Sequence, residues 1–280
     1  MHIKINGGLG DDVILTAAVR EYSLKHPDER LSLDVRHPEV FLNNPHVMSG
    51  SKDNQVFIEL CLAPHYDGLA PPLDLPSTIA HYYGKQIGVR VVDPTPEVFL
   101  AEGELSMYPR RPNVVALDTW AGWPNRRWPL ERFKALVDML HERGMKVVEV
   151  GKSVPDSFRT MRHASLPNVD ESLVDRQGIR ETAAFFASSG MYLGNESGLV
   201  HLAAAVGTPQ VVICSMAVSW WTRSYRTTCV IAPLTACKDK PCHDLYRPQG
   251  HLCGSPKFCM EDIRPEDVIE ACERNGLLGA

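Results

Sequence analysis

The chain has 280 residues, 44% of them hydrophobic and 22% charged, the balance of a globular protein with room for one large or two modest domains. A net charge of -5 with no dominant basic stripe argues against nucleic acid as a partner. No window is apolar for long enough to span a membrane, and the opening MHIKINGG enters a strand with no apolar signal core, so the expected compartment is the cytoplasm.

Ile3 to Ile5 is a short strand leading into Asn6-Gly-Gly-Leu-Gly-Asp11. The next helix carries Leu15, Ala18, Val19 and Tyr22 on one face and ends near Lys25-His26-Pro27. Leu31 to Val35 is a second strand, so the order strand, glycine turn, helix, strand opens a Rossmann-like unit. The glycines at 7, 8 and 10 do not make the GxGxxG dinucleotide fingerprint. Asp11 stands where that fold would start its anion-binding helix, and a carboxylate there repels a pyrophosphate. Either Asp11 or Asp12 could serve as a plain helix cap, but two adjacent acids are more than a cap requires.

Residues 36 to 105 are less regular, with Val56 to Leu60 the clearest strand, a helix from Leu75 to Gly88 and a strand from Val89 to Val92. The polar, proline-bearing stretch from Glu102 to Pro112 reads as a linker. A second αβ series begins with the buried strand Val114 to Leu117, followed by a tryptophan-rich run to Pro129, which suits a first helical position. Phe133, Leu136, Val137 and Leu140 form the apolar face of that helix, and Gly144 is its stop. Lys146 to Val150 is a strand and Ile179 to Ser189 a short helix. Met191 to Ile213 then reads as strand, polar turn, small-residue helix, break and buried strand. Leu199, Leu202, Ala203 and Val206 share one face of its helix, which opens on Ser197-Gly198 and directs N–H groups and a partial positive charge forward. By itself this stretch is an ordinary βαβ crossover, and His201 a structural histidine. Strands alternating with helices mean parallel sheets, here in two tandem series.

Cys61, Cys214, Cys229 and Cys272 are scattered, whereas Cys237, Cys242, Cys253 and Cys259 crowd together. In a cytosolic chain such a cluster is reduced or metal-bound in preference to disulfide-paired. It lacks the tight CxxC knuckle of most structural zinc sites, yet four thiolates could form a tetrahedral zinc or iron site, with His243 or His251 replacing one. The other reading is a loop of free thiols. Trp120, Trp123, Trp128, Trp220 and Trp221 flank the candidate cleft segments, with packing as their default role.

Gly8-Leu-Gly-Asp11 with Val13 to Thr16 and Arg20, together with Asn195 to Pro209, resembles glycosyltransferase family 9, the ADP-heptose heptosyltransferases. Arg126-Arg-Trp-Pro129 with Phe133, the run Arg180 to Gly194, and the ending Cys259-Met260, Ile263 to Glu266 and Val268 resemble further segments of that family. The resemblance touches both halves and little of residues 36 to 105.

It implies an α/β GT-B architecture, two Rossmann-like domains facing across a cleft with a shortened N-terminal domain. Residues 1–108 would be the acceptor side and 109–280 the nucleotide-sugar side, the latter including the cysteine-rich segment 237–259. The implied reaction is inverting, needs no metal or cofactor, and moves a sugar from an ADP-sugar donor to a glycan, lipid-linked or protein acceptor, with peripheral membrane contact possible. Asp11 matches the family's acceptor-side Asp and is the expected base, with Gly8, Gly10 and Asp12 beside it. Arg126 matches a phosphate-contacting lysine and His201 a donor-contacting histidine. Ser197, Gly198 and Leu199 would offer backbone N–H groups, and Thr119 and Glu196 complete the expected donor set. Glu196 stands where the family has Asp, Arg126 where it has Lys, and Ala17 where it has Pro. Relatives that modify autotransporter proteins carry a cysteine-held iron, so Cys237, Cys242, Cys253 and Cys259 are the expected ligands of a structural zinc or iron. A nucleotide-sugar-binding protein without transferase activity, or a nucleotide-dependent oxidoreductase, are the alternatives; the second would need the fingerprint this chain lacks.

Overall fold

A computed structural model describes residues 1–29, 31–47, 57–60, 78–122, 126–153, 165–215, 225–231 and 259–278. The first half contains β1 (His2–Ile5), α1 (Leu9–Lys25), β2 (Ser32–Asp34), a 3-10 turn (Pro38–Phe41), β3 (Phe57–Leu60) and α2 (Ile79–Gln86). Its described strands are parallel in the order β2-β1-β3. The chain leaves β1 for β2 on one side and reaches β3 on the other, so a topological switch point lies where β1 runs into α1.

The expected strand from Val89 to Val92 does not form. Gly88 adopts φ +75 just past α2, and the Val89 N–H turns back to donate to Gly84 O at 2.8 Å. Val89 and Val91 are buried there, where a Cβ on Gly84 would strike the Val91 side chain at 2.6 Å. The two valines seal the end of a helix. The expected linker is likewise structured, holding the short helix α3 (Glu102–Leu105) and the start of the next strand.

The second half runs β4 (Arg111–Asp118), α4 (Leu130–Glu142), β5 (Lys146–Glu149), β6 (Glu171–Ser172), α5 (Ile179–Ser188), β7 (Ser189–Asn195), α6 (Gly198–Ala205), β8 (Gln210–Ile213), β9 (Thr228–Ile231) and α7 (Pro265–Arg274). The strands pair in parallel in the order β6-β5-β4-β7-β8-β9. This is the doubly wound arrangement, with its switch point between β4 and β7. Val115, Ala116 and Leu117, like Met191, Tyr192 and Leu193, are wholly buried, as expected of strands covered on both faces. Phe133, Leu136, Val137 and Leu140 of α4 are buried as their spacing predicts, in one cluster with Trp128 and residues of α7.

The other face of this sheet shares a continuous hydrophobic cluster with the first half, running from Ile3 and Val13 through Phe185 and Tyr192 to Val200. Periodicity predicts one apolar face for α6, yet residues 200–204 are all buried, because α1 covers the side its own sheet does not. Residues 12–19 of α1 are buried without a break for the same reason. The crossing segment between the halves, residues 93–105, is stitched to α1 and α6: Val98 N–H donates to Ala205 O at 3.2 Å, and Glu97 N–H to Thr16 Oγ1 at 2.9 Å. Arg20 donates through Nη1 to Thr95 O at 3.1 Å and Glu97 Oε2 at 3.0 Å. Thr16 and Arg20, conspicuous in the sequence, therefore hold the crossover.

Candidate active site

Ligands of doubly wound sheets bind outside the carboxyl ends of the strands at the switch point. In the second half that point is the gap between Asp118, ending β4, and Asn195, ending β7. Asn195 bridges the strands: Nδ2 donates to Thr119 O at 2.9 Å and Oδ1 accepts the Trp128 N–H at 2.9 Å. Asp118 is 2% exposed, and its carboxylate accepts from Trp120 N–H at 3.0 Å, Tyr192 OH at 3.0 Å and Ser197 Oγ at 2.6 Å. Burial, and then the Asp118 charge, push the Tyr192 hydroxyl well above its ordinary range, so it stays a donor. Ser197 Oγ in turn accepts the Leu199 N–H at 3.1 Å and caps α6. Of the three N–H groups expected to face a ligand, that of Leu199 is thus taken by the cap.

Arg126 and Glu196, both expected on the donor side, meet. Arg126 Nη1 lies 2.8 Å from Glu196 Oε2 in an almost fully enclosed pair. His201 Nε2 is 3.6 Å from the other Glu196 oxygen, and its Nδ1 is 2.8 Å from Tyr225 OH. Burial and the Glu196 charge hold the Tyr225 hydroxyl protonated. With Nδ1 accepting from Tyr225, the His201 hydrogen sits on Nε2 and faces the Glu196 carboxylate, an electrostatic contact just beyond hydrogen-bond distance. Thr119 turns away from this cluster, donating to Glu149 Oε1 at 3.0 Å beneath the strand ends.

Asp11 lies at the switch point of the first sheet, in the opening turn of α1. Its Oδ2 accepts the Gly8 N–H at 2.8 Å and its Oδ1 accepts Tyr83 OH at 2.9 Å. Asp11 is therefore the helix cap and a held, half-buried carboxylate at once. Gly7 is required, since a Cβ there would lie 2.3 Å from Asp11 Cβ. Asp12 points elsewhere: it is wholly buried, and its Oδ2 accepts both the His37 N–H at 2.9 Å and the His37 Nδ1 hydrogen at 2.7 Å. Its Oδ1 has no partner among the described residues. The two halves touch through Gly10 and Gly198. A Cβ on Gly198 would sit 3.1 Å from Gly10 N, and one on Gly10 would sit 2.9 Å from His201 Cδ2. Gly8 lies exposed at the rim.

Burial raises the Asp12 pKa above its ordinary 3.8, against the lowering effect of His37. The folded protein thus holds this proton more tightly than the unfolded chain. Its contribution to stability is full below 3.8 and is lost as pH rises through the folded value. Asp12→Asn is expected to flatten that part of the stability–pH curve, as followed by chemical denaturation across acid pH. His37→Ala should lower stability by about 1–3 kcal/mol at neutral pH, by leaving a buried carboxylate short of a donor.

Several expected residues lie outside the described set: Cys237, Cys242 and Cys253 with His243 and His251, and Trp123, Trp220 and Trp221. Cys259 is half-buried at the start of a 3-10 turn before α7. Among the described residues no group of three or more His, Cys, Asp or Glu could hold a metal ion, and no helix is long and apolar enough to cross a membrane. Trp128 is a packing residue, 1% exposed with Nε1 donating to Ile263 O at 3.0 Å. Trp120 lies under the Arg127 guanidinium, 3.6 Å from its centre. Sequence reasoning did not single out Asp118, Glu149, Asn195 or Tyr225 for the site. Asp118 and Glu149 had a readable signal, a carboxylate closing an apolar strand, whereas Tyr225 had none.

The family model described as Glycosyltransferase family 9 (heptosyltransferase) matches residues 96–245. A search of curated proteins by sequence finds no match. Among solved structures, ADP-heptose lps heptosyltransferase II of E. coli superposes with a TM-score of 0.68 at 16% identity, over 99% of this chain and 98% of its own. The family 9 glycosyl transferase of Veillonella parvula gives 0.68 at 14% identity, over 98% and 96%. The iron-containing dodecameric heptosyltransferase TibC of enterotoxigenic E. coli, in complex with ADP-D-beta-D-heptose, gives 0.74 at 17% identity, over 99% of this chain and 76% of its own. These likenesses fix the fold as GT-B.

Proposed function

The chain belongs to glycosyltransferase family 9 and is a glycosyltransferase, and from that premise we propose that it moves a heptose from an ADP-sugar to an acceptor hydroxyl with inversion at the anomeric carbon. What carries the reading is the meeting of two switch points: a held carboxylate on the first half, and the hydrogen-bonded Arg126–Glu196 ion pair on the second, joined where Gly10 touches Gly198. Inverting transfer needs a base for the acceptor proton and positive charge for the departing diphosphate, where charge develops in the transition state. Asp11 would take the proton. Arg126 and the start of α6 would face the diphosphate. A guanidinium carries its donors on a rigid fork, so it can hold Glu196 by one edge and phosphate oxygens by another. Glu196 then acts as an orienting partner, with His201 and Tyr225 behind it.

The donor assignment is supported by the ADP-D-beta-D-heptose bound to the structurally similar TibC. The acceptor would be a glycan, lipid-linked or protein hydroxyl. Any zinc or iron held by the cysteine run would be structural, and no step of the transfer is placed on it. Incubation with ADP-D-beta-D-heptose, with water as the sole acceptor, tests the proposal. Slow ADP release with α-heptose as the first-formed sugar by proton NMR is the expected result. A β product, or no release, would overturn it.

A further inference from the structure

Arg180 stands at the start of α5, away from the residues assigned to chemistry, with its side chain only 12% exposed. Its Nε and Nη2 donate to the two Glu104 oxygens at 2.5 Å each. Nη2 also donates to Phe99 O at 2.8 Å, and Nη1 to Glu39 O at 3.0 Å and Leu42 O at 3.4 Å. These bonds use the whole donor set of a guanidinium. They also join three parts of the chain: α5 in the second half, the crossing segment, and the 3-10 turn of the first half. The fork holds Glu104 below the usual carboxylate range, chiefly through its hydrogen bonds.

The turn it grips is continuous with the start of α1. Glu39 belongs to the turn Pro38–Phe41, whose Val40 and Phe41 are buried in the shared cluster. His37 immediately precedes the turn and is bound twice by Asp12, the neighbour of Asp11. Asp12 is wholly buried, and one of its oxygens has no partner among the described residues, so its two bonds to His37 are what offset the cost of burying it. They tie the turn to the helix that presents Asp11.

We infer that Arg180 is a positioning residue for transfer: through the 38–41 turn and the His37–Asp12 pair it sets the start of α1, and so Asp11, against the donor helix α6. The functional part of this inference rests on the role proposed for Asp11; the mechanical part does not. Lysine cannot replace the fork, because an ammonium lacks the planar donor array that serves a carboxylate and three carbonyls together.

The test follows hydrogen exchange by mass spectrometry, ADP affinity by calorimetry and turnover of ADP-D-beta-D-heptose, in Arg180→Ala and Arg180→Lys. Exchange in residues 9–20 should rise about tenfold in both variants, as local opening of α1 becomes easier. Turnover should fall by at least about tenfold, while the affinity for ADP, a second-half ligand, stays within about twofold. Added guanidinium chloride at low concentration should restore part of the turnover of Arg180→Ala. His37→Ala, which cuts the next link, should reproduce the rise in exchange at 9–20. Faster exchange confined to 36–45 and 99–105, with residues 9–20 unmoved, would overturn the inference, as would intact turnover beside disturbed exchange. If Arg180→Ala does not fold, Arg180→Lys decides the question by the same readouts. Wild-type protein that binds no ADP and turns over no ADP-heptose would sink the proposed reaction and leave the exchange measurement to judge the mechanical link.

Discussion

Asp11→Asn is expected to lower sugar transfer by about a hundredfold to ten-thousandfold, the usual range for loss of a positioned base, with ADP affinity within about twofold of wild type. The amide keeps one carbonyl oxygen, which can still accept the Gly8 N–H that Asp11 Oδ2 takes at 2.8 Å. Tyr83 OH, now a donor to Oδ1 at 2.9 Å, can accept from the amide NH2 instead. Helix capping therefore survives, and the loss of a charge near the α1 dipole costs only about 0.3–1 kcal/mol of stability. The kinetic effect separates base from cap. Asp11→Ala would confound the two, because it removes both. Initial rates of ADP release and a melting curve of the same preparation check the prediction together. Asp12 is no substitute base, being wholly buried against His37.

Gly194→Ala is expected to lower stability by about 3 kcal/mol, the upper end for overpacking, and to abolish ADP binding. A Cβ at residue 194 would lie 2.3 Å from Asp118 O and 2.9 Å from Asp118 Cβ. The main obstacle is backbone, so no rotamer change relieves it. β4 and β7 would have to part at the switch point, where Asn195 ties Thr119 to Trp128 and Asp118 holds Ser197. Gly190 imposes the same closeness at the other end of the strand pair, where an added Cβ would stand 1.9 Å from Pro112 O. Gly103→Ala is the control. Its Cβ would meet nothing within 4 Å, so it should be neutral or stabilising by about 0.5–1 kcal/mol. Thermal unfolding and calorimetry on the two variants check the contrast.

What the chain reveals before folding is chiefly what is local. Ser197-Gly198 opening a small-residue helix, Gly144 ending one and a carboxylate in the first turn of α1 are decided within a few residues, and each stands where the spacing puts it. The alternation of strands and helices foretells parallel sheets, but nothing in it orders the described strands of the second half about β4 and β7. The all-round burial of α6 depends on α1, nearly two hundred residues away in the chain, so periodicity underestimates it. The Arg126–Glu196 and Asp12–His37 pairs likewise join residues that no window contains. Val89 and Val91 have the composition of a strand, and the positive φ of Gly88 turns them back onto α2 instead.

The central claim is that the second half binds an adenosine diphosphate sugar at the Arg126 cluster. Calorimetric titration of the intact protein with ADP, UDP, GDP and NADH, repeated on Arg126→Ala, tests it most directly. The account predicts preferential binding of ADP, weakened by about tenfold or more when the guanidinium is removed. Binding of NADH alone, or ADP binding indifferent to Arg126, would contradict it.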